Sequence, residues 1–234
     1  SYGMMKIVEG GQTRAMTTRG GQMVPLHELL DAMVEIVRGI VDEKNAGLPA
    51  EKKARVAEAV GVGAIVFWVQ SRRRNSDIVF DWKLATSPDG DTGPYVQYTH
   101  ARACSILRKF GAACVAQPPS AGAGTQPGAA VPHYKIPLEA NLQALTQPEE
   151  VAVCKALERF PEVLRQAADG NEPSLIATWL IEAARAFNDF YNKHQVLKAE
   201  SLELTKARLV LVEGVRRMLA EGLRLLGVGA PEEM

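Results

Sequence analysis

The chain has 234 residues, 47% hydrophobic but only 6% aromatic, with Lys plus Arg and Asp plus Glu balanced at 27 each. That length suits one large domain or two small ones, each with its own core. Zero net charge excludes a molecule drawn as a whole toward nucleic acid or an anionic membrane, so any RNA binding must come from a local patch.

The three cysteines, Cys104, Cys114 and Cys154, are odd in number and contain no CxxC pair, which argues against a disulfide framework or a zinc site. The longest apolar run, around residues 64–69, is far too short to span a bilayer. A cytoplasmic protein is expected, neither exported nor embedded in a membrane, with no metal and no DNA partner.

In chain order, residues 2–8 read as a strand with no preceding cap, so further chain is expected in front of it. Gly10 and Gly11 begin a Gly-, Thr- and Arg-rich loop to Gly21. Pro25 opens a helix in which Leu26, Leu29, Leu30, Met33, Ile36, Val37 and Ile40 recur at helical spacing, closed by Asn45-Ala46-Gly47. A second helix starts near Pro49 with a charged first turn and becomes apolar through residues 60–69. Gly61-Val62-Gly63 lies inside that helical run and lacks a third glycine, so it is no phosphate loop.

Arg72-Arg73-Arg74 reads as a solvated helix end, residues 77–82 alternate as a short strand, and residues 87–94 form a loop. A distinctive helix is predicted over 95–110. Residues 111–132 are Ala, Gly, Pro, Ser and Gln without a period and read as a linker or insertion. Helices are then predicted over about 147–160, 161–168, 175–191 and 202–226, opened by prolines and broken at Asp169-Gly170-Asn171. The fold class is mainly α, a helical bundle preceded by a small α/β portion.

Two segments carry a family pattern. Asp89-Gly90-Asp91-Thr92-Gly93-Pro94-Tyr95-Val96-Gln97-Tyr98-Thr99-His100-Ala101-Arg102 resembles the helix that begins the anticodon-binding module of arginyl-tRNA synthetases. Gly222-Leu223-Arg224-Leu225-Leu226-Gly227-Val228 followed by Pro231-Glu232-Glu233-Met234 resembles the ending of the same family, with Glu233 where the family usually has arginine. Ala186-Phe187-Asn188-Asp189-Phe190-Tyr191 is a third match. At the front, Gln12-Thr13-Arg14-Ala15-Met16-Thr17-Thr18-Arg19-Gly20-Gly21 resembles a degenerate class I signature loop of the Lys-Met-Ser-Lys type, with Ala15 in place of the first lysine and Thr17 in place of the serine.

The resemblance implies an end of a class I Rossmann catalytic domain over 1–24, a helical connective region over 25–88 and a DALR-type anticodon-binding domain over 89–234. It implies that Met16, Thr17, Thr18, Arg19 and Gly21 belong to an ATP loop, where hydroxyls, glycine N–H groups and a guanidinium grip phosphate. It also implies that Asp91, Tyr95, Tyr98, Arg102, Tyr191 and Met234 belong to the anticodon surface. Tyr95, Tyr98 and Arg102 fall at i, i+3 and i+7, one stripe of a helix, and such platforms suit the stacking of unpaired RNA bases.

The expected partners are tRNA(Arg) and a missing N-terminal catalytic half. ATP with Mg would serve the full-length parent. No His-x-Gly-His element is present, so this chain alone is not expected to activate arginine and needs no cofactor. The alternative is a stand-alone paralogue acting as a regulatory or protein-interaction module. His100 is expected to be structural or to contact backbone, and His27, His133 and His194 have no carboxylate or cysteine at ligand spacing. Trp179, Phe187 and Phe190 are expected in the core.

Overall fold

The computed structural model describes residues 5–9, 12–15, 25–44, 47–73, 75–115 and 140–234. Strand β1 (Met5–Glu9) pairs antiparallel with β2 (Gln12–Ala15), Lys6 opposite Ala15 and Glu9 opposite Gln12. Residues 12–15 were expected within a loop; Thr13 and Arg14 instead satisfy the open edge of β1. A third strand, β3 (Ile78–Phe80), runs parallel to β1 on its other side, giving the order β2-β1-β3. Parallel pairing needs a long crossover, here α1 (Leu26–Lys44) and α2 (Ala50–Gln70).

Helix α1 buries Leu29, Met33, Val37 and Val41, a stripe at successive fourth positions. Helix α2 meets it closely at Gly61, where a Cβ would lie 2.9 Å from the Val34 Cα. The helical reading of Gly61-Val62-Gly63 therefore holds, and the glycines serve packing. The first core gathers this stripe with Ile7, Val60, Trp68 and Phe80. Trp68 meets Phe80 edge-on at 5.9 Å and donates its indole N–H to the Val79 carbonyl at 3.1 Å. Arg72 lies over the Trp68 ring, 4.7 Å from its centre.

The predicted strand over 77–82 is shorter, because the Asp81 carboxylate accepts the N–H groups of Lys83 and Leu84 and starts a one-turn helix, α3 (Trp82–Ala85). Helix α4 (Gly93–Val115) begins earlier and ends later than residues 95–110, so the first five residues of the expected insertion are helical. Pro94 suits a first helical turn, and Ala112 and Ala113 favour continuation. Residues 116–132 lie outside the described residues.

The remaining helices are α5 (Pro148–Glu158), α6 (Phe160–Gly170), α7 (Ser174–Lys193) and α8 (Leu202–Leu225). They pack with α4 around a second core that includes Trp179, Leu180, Phe187, Phe190, Val212, Leu219 and Leu223, and the three aromatics expected there are buried. Asn171, left-handed at φ 50°, ends α6. A buried ion pair ties α8 to α5: Arg208 Nε donates to Glu150 at 2.7 Å while the same carboxylate accepts the Gln147 N–H at 2.9 Å. Among the described residues, no helix is long and apolar enough to cross a membrane.

Candidate nucleic-acid interface

The loop into α4 is held by Thr92, whose hydroxyl donates to the Ser87 carbonyl at 2.6 Å and accepts the Tyr95 N–H at 3.2 Å. At Gly93 a Cβ would stand 2.8 Å from the Phe67 Cβ, so glycine lets the first turn of α4 lie directly on α2. A cleft of about 930 Å³ lies where residues of α1, α2, α4 and α7 meet. Val37, Ile40 and Val56 supply one apolar wall, and Tyr95, Tyr98, Arg102 and Asn188 supply the opposite one.

The predicted stripe Tyr95, Tyr98 and Arg102 does line this cleft, with Met234. Its chemistry differs from two platforms and a free cation. The Arg102 guanidinium lies over both phenols, 4.8 Å from the ring centre of Tyr98 and 4.9 Å from that of Tyr191, residues that stay 42% and 38% exposed. Tyr191 also stacks on Phe187 at 6.4 Å and stands beside the cleft rather than in its lining. Arg102 Nη1 also donates to the Asn188 carboxamide oxygen at 2.5 Å. Tyr95 is half-buried and its hydroxyl accepts from Asn188 Nδ2 at 3.0 Å, so it contributes a polar tip rather than a second open platform.

Asp91 is ion-paired with Arg185, which pins the loop before α4 to α7. A predicted RNA contact is thus engaged within the protein, because α7 carries a cation opposite it. Residues Arg185, Asn188, Asp189 and Asn192 all face the cleft, and sequence reasoning had not placed them in the site. Their spacing of i, i+3, i+4 and i+7 is a polar stripe beside the apolar face of α7, a readable signal. Lys44, Arg102 and Arg185 face Asp89 and Asp189 around the cleft, so it lacks a strong field of either sign.

Residues 229–233 are held along α4. Gln97 Nε2 donates to the carbonyls of Ala59 (3.0 Å) and Gly229 (2.8 Å), and Arg108 Nη1 donates to that of Glu232 (2.9 Å). His100 Nδ1 lies 3.0 Å from the Pro231 carbonyl, the expected backbone contact. Burial holds His100 below its ordinary value, with the Pro231 bond pulling the other way. Glu233 pairs with Lys52 at 2.9 Å and lies 3.5 Å from Arg108, which holds its carboxyl below the usual range. This anchoring sets Met234 in the cleft wall against the first core.

The predicted ATP-loop residues Met16, Thr17, Thr18, Arg19 and Gly21 lie outside the described residues, as does His133. His27 is exposed. His194 does meet a carboxylate, Glu149 at 3.0 Å, but one 45 residues away and shared with Lys193 at 2.7 Å. Among the described residues, no group of three or more His, Cys, Asp or Glu is placed to hold a metal.

Residues 96–234 match the DALR anticodon binding domain, and residues 1–82 match the catalytic domain of tRNA synthetases class I (R). An arginine–tRNA ligase of Alkaliphilus metalliredigens is 41% identical over 221 residues, covering 94% of this chain and 35% of that protein. One from Clostridium botulinum is 37% identical over 233 residues, covering 100% and 36%. The arginyl-tRNA synthetase of Thermus thermophilus superposes with a TM-score of 0.77 at 34% identity, covering 98% of this chain and 34% of that one. The chain thus spans about a third of the length of the relatives it matches.

Proposed function

Since this chain belongs to the arginyl-tRNA synthetase family, with its DALR anticodon binding domain, we propose that it recognises the anticodon of tRNA(Arg) as the C-terminal part of an arginine–tRNA ligase. The observation that carries this reading is the Tyr98–Arg102–Tyr191 cluster, whose Tyr98 and Arg102 line the cleft. Unpaired RNA bases stack on aromatic and guanidinium planes, at about 1–3 kcal/mol per base. Two partly exposed tyrosines bridged by one guanidinium suit that task even in a chain of zero net charge.

In this reading Tyr95, Tyr98, Arg102, Tyr191 and Met234 form the RNA surface, and Asp91 acts by holding the loop beside it through Arg185. The boundaries proposed are 1–24 for the end of the catalytic domain, 25–88 for the connective region and 89–234 for the anticodon-binding domain. The full-length parent would attach arginine to tRNA with ATP and Mg, using Thr17, Thr18 and Arg19 in its phosphate loop. This chain would depend on the N-terminal half for that reaction. The proposed place of action is the cytoplasm, in keeping with the unpaired thiols of Cys104 and Cys154.

Fluorescence anisotropy with a labelled tRNA(Arg) anticodon stem-loop tests the proposal. Saturable binding that weakens about tenfold in Tyr98→Ala is expected from the loss of one stacking platform. Equal binding to stem-loops of unrelated anticodon sequence would overturn it.

A further inference from the structure

We propose that Asn188 is a positioning residue that sets the hydrogen-bond polarity of the cleft: by donating to the Tyr95 hydroxyl it leaves that hydroxyl's proton for the ligand, so this wall selects a nucleobase edge that presents acceptors. The inference rests on the anticodon reading and deepens it.

The orientation of the Asn188 carboxamide is fixed by its neighbours. Arginine can only donate, so the atom 2.5 Å from Arg102 Nη1 must be the oxygen. The other end is then the NH2 group, which donates to Tyr95 Oη at 3.0 Å and to Thr99 Oγ1 at 2.9 Å. Thr99 is a consistent acceptor, because its own proton goes to the Tyr95 backbone carbonyl at 2.8 Å. Flipping the amide would set an NH2 against a guanidinium and an oxygen where Thr99 needs a donor. All of the amide's hydrogen-bonding groups are engaged, so it has no low-cost alternative.

The consequence falls on Tyr95. A phenol has one proton and accepts along its lone pairs. With Asn188 donating to the oxygen, the O–H must point elsewhere, and among the described residues no acceptor takes it. Tyr95 lines the cleft, so the proton is directed at the ligand. Arg102 beside it has no acceptor to offer either. The carboxylates of Asp89 and Asp189 also line the cleft and do accept, so the selection belongs to the wall built by Tyr95 and Arg102 and leaves an exocyclic amine free to meet an acid elsewhere. A site that leaves its partly buried donors unpaired against the wrong edge discriminates against it.

A double-mutant cycle tests the inference, with the anticodon stem-loop as probe. In the wild-type chain Tyr95→Phe should weaken binding about tenfold through the lost donor. Asn188→Asp keeps an acceptor for Arg102 but turns the group at Tyr95 into an acceptor, which captures the phenol proton, and binding should again fall about tenfold. Tyr95→Phe added to Asn188→Asp should then change binding less than twofold, because the proton is already withdrawn; such non-additivity marks coupled groups. Independent, multiplying losses would overturn the proposal, whereas a merely structural Asn188 would produce them.

A second readout needs neither the Asn188 variant nor RNA. The Raman difference between the wild-type chain and Tyr95→Phe isolates the Fermi doublet of this one phenol, which reports whether its oxygen accepts. An accepting phenol supports the proposal and a donor-only phenol overturns it, also if Asn188→Asp fails to fold. Absence of stem-loop binding by the wild-type chain would instead overturn the anticodon reading, with the Raman result still deciding the polarity.

Discussion

His100 donates its Nδ1–H to the carbonyl oxygen of Pro231 at 3.0 Å, across 131 residues of sequence. A carbonyl only accepts, so the proton sits on Nδ1 and leaves Nε2 free to accept, 3.7 Å from Cys104 Sγ. Burial keeps the imidazole below its ordinary value of 6.5 and pushes the Cys104 thiol up to about 11. The pair is a neutral lock under the last residues rather than a nucleophile and its base.

This lock makes stability depend on pH with a defined sign. The unfolded chain takes up a proton near 6.5 that the folded chain refuses, so the contribution is fully present above 6.5 and is lost as pH falls through and below that value. Melting temperature should drop over that interval in the wild-type chain and less steeply in His100→Gln. Parallel curves for the two proteins would refute the role given to His100.

Arg208 is the partner whose loss should cost most. Its side chain is 7% exposed and that of Glu150 is fully buried, so Arg208→Ala would strand a carboxylate in the core. Such a change costs about 3–5 kcal/mol. Urea denaturation should show a loss of this size, and Arg208→Met with Glu150→Gln, which removes the buried charge but keeps an acceptor for the Gln147 N–H, should recover most of it.

Two glycines on facing helices should respond in opposite ways. At Gly61 a Cβ would meet the Val34 backbone at 2.9 Å, which cannot rotate away, and Gly61→Ala should destabilise by about 1–3 kcal/mol. At Gly39, on the exposed face of α1, a Cβ meets nothing within 4 Å, and Gly39→Ala should stabilise by up to about 1 kcal/mol. Thermal melts of both variants check the contrast.

The contact of Arg102 with two tyrosines at once needs a planar cation. Lysine would keep the charge of Arg102 but neither reach both Tyr98 and Tyr191 with one planar group nor hold the Asn188 oxygen in the same geometry. Arg102→Lys should therefore weaken stem-loop binding about tenfold, with each lost cation–π contact supplying about 0.5–1 kcal/mol. Wild-type affinity in Arg102→Lys would show that charge alone matters.

Much of the helical architecture is legible because its signals are local. Pro148 and Pro161 sit in first helical turns, and Asn171 is the left-handed stop after α6. The α4 stripe of Tyr95, Tyr98 and Arg102 was likewise a matter of spacing, and it reached the cleft. What spacing could not supply was pairing across the chain. That Arg102 is already spoken for by Asn188, Asp91 by Arg185 and His194 by Glu149 depends on how α4, α5 and α7 pack. Strand β2 was hidden for the same reason, since its four residues gain their partner only when β1 lies beside them. The departure at Glu233 finds its physical sense only in three dimensions, where Lys52 and Arg108 receive it.

Backbone hydrogen exchange, followed with and without the tRNA(Arg) anticodon stem-loop, tests the central claim most directly because it reports where the RNA sits. The loop before α4, the first turns of α4 through Arg102 and the end of α7 through Asn192 should become protected together. Protection confined to α1 and the strand residues 78–80, with α4 and α7 unchanged, would contradict the account.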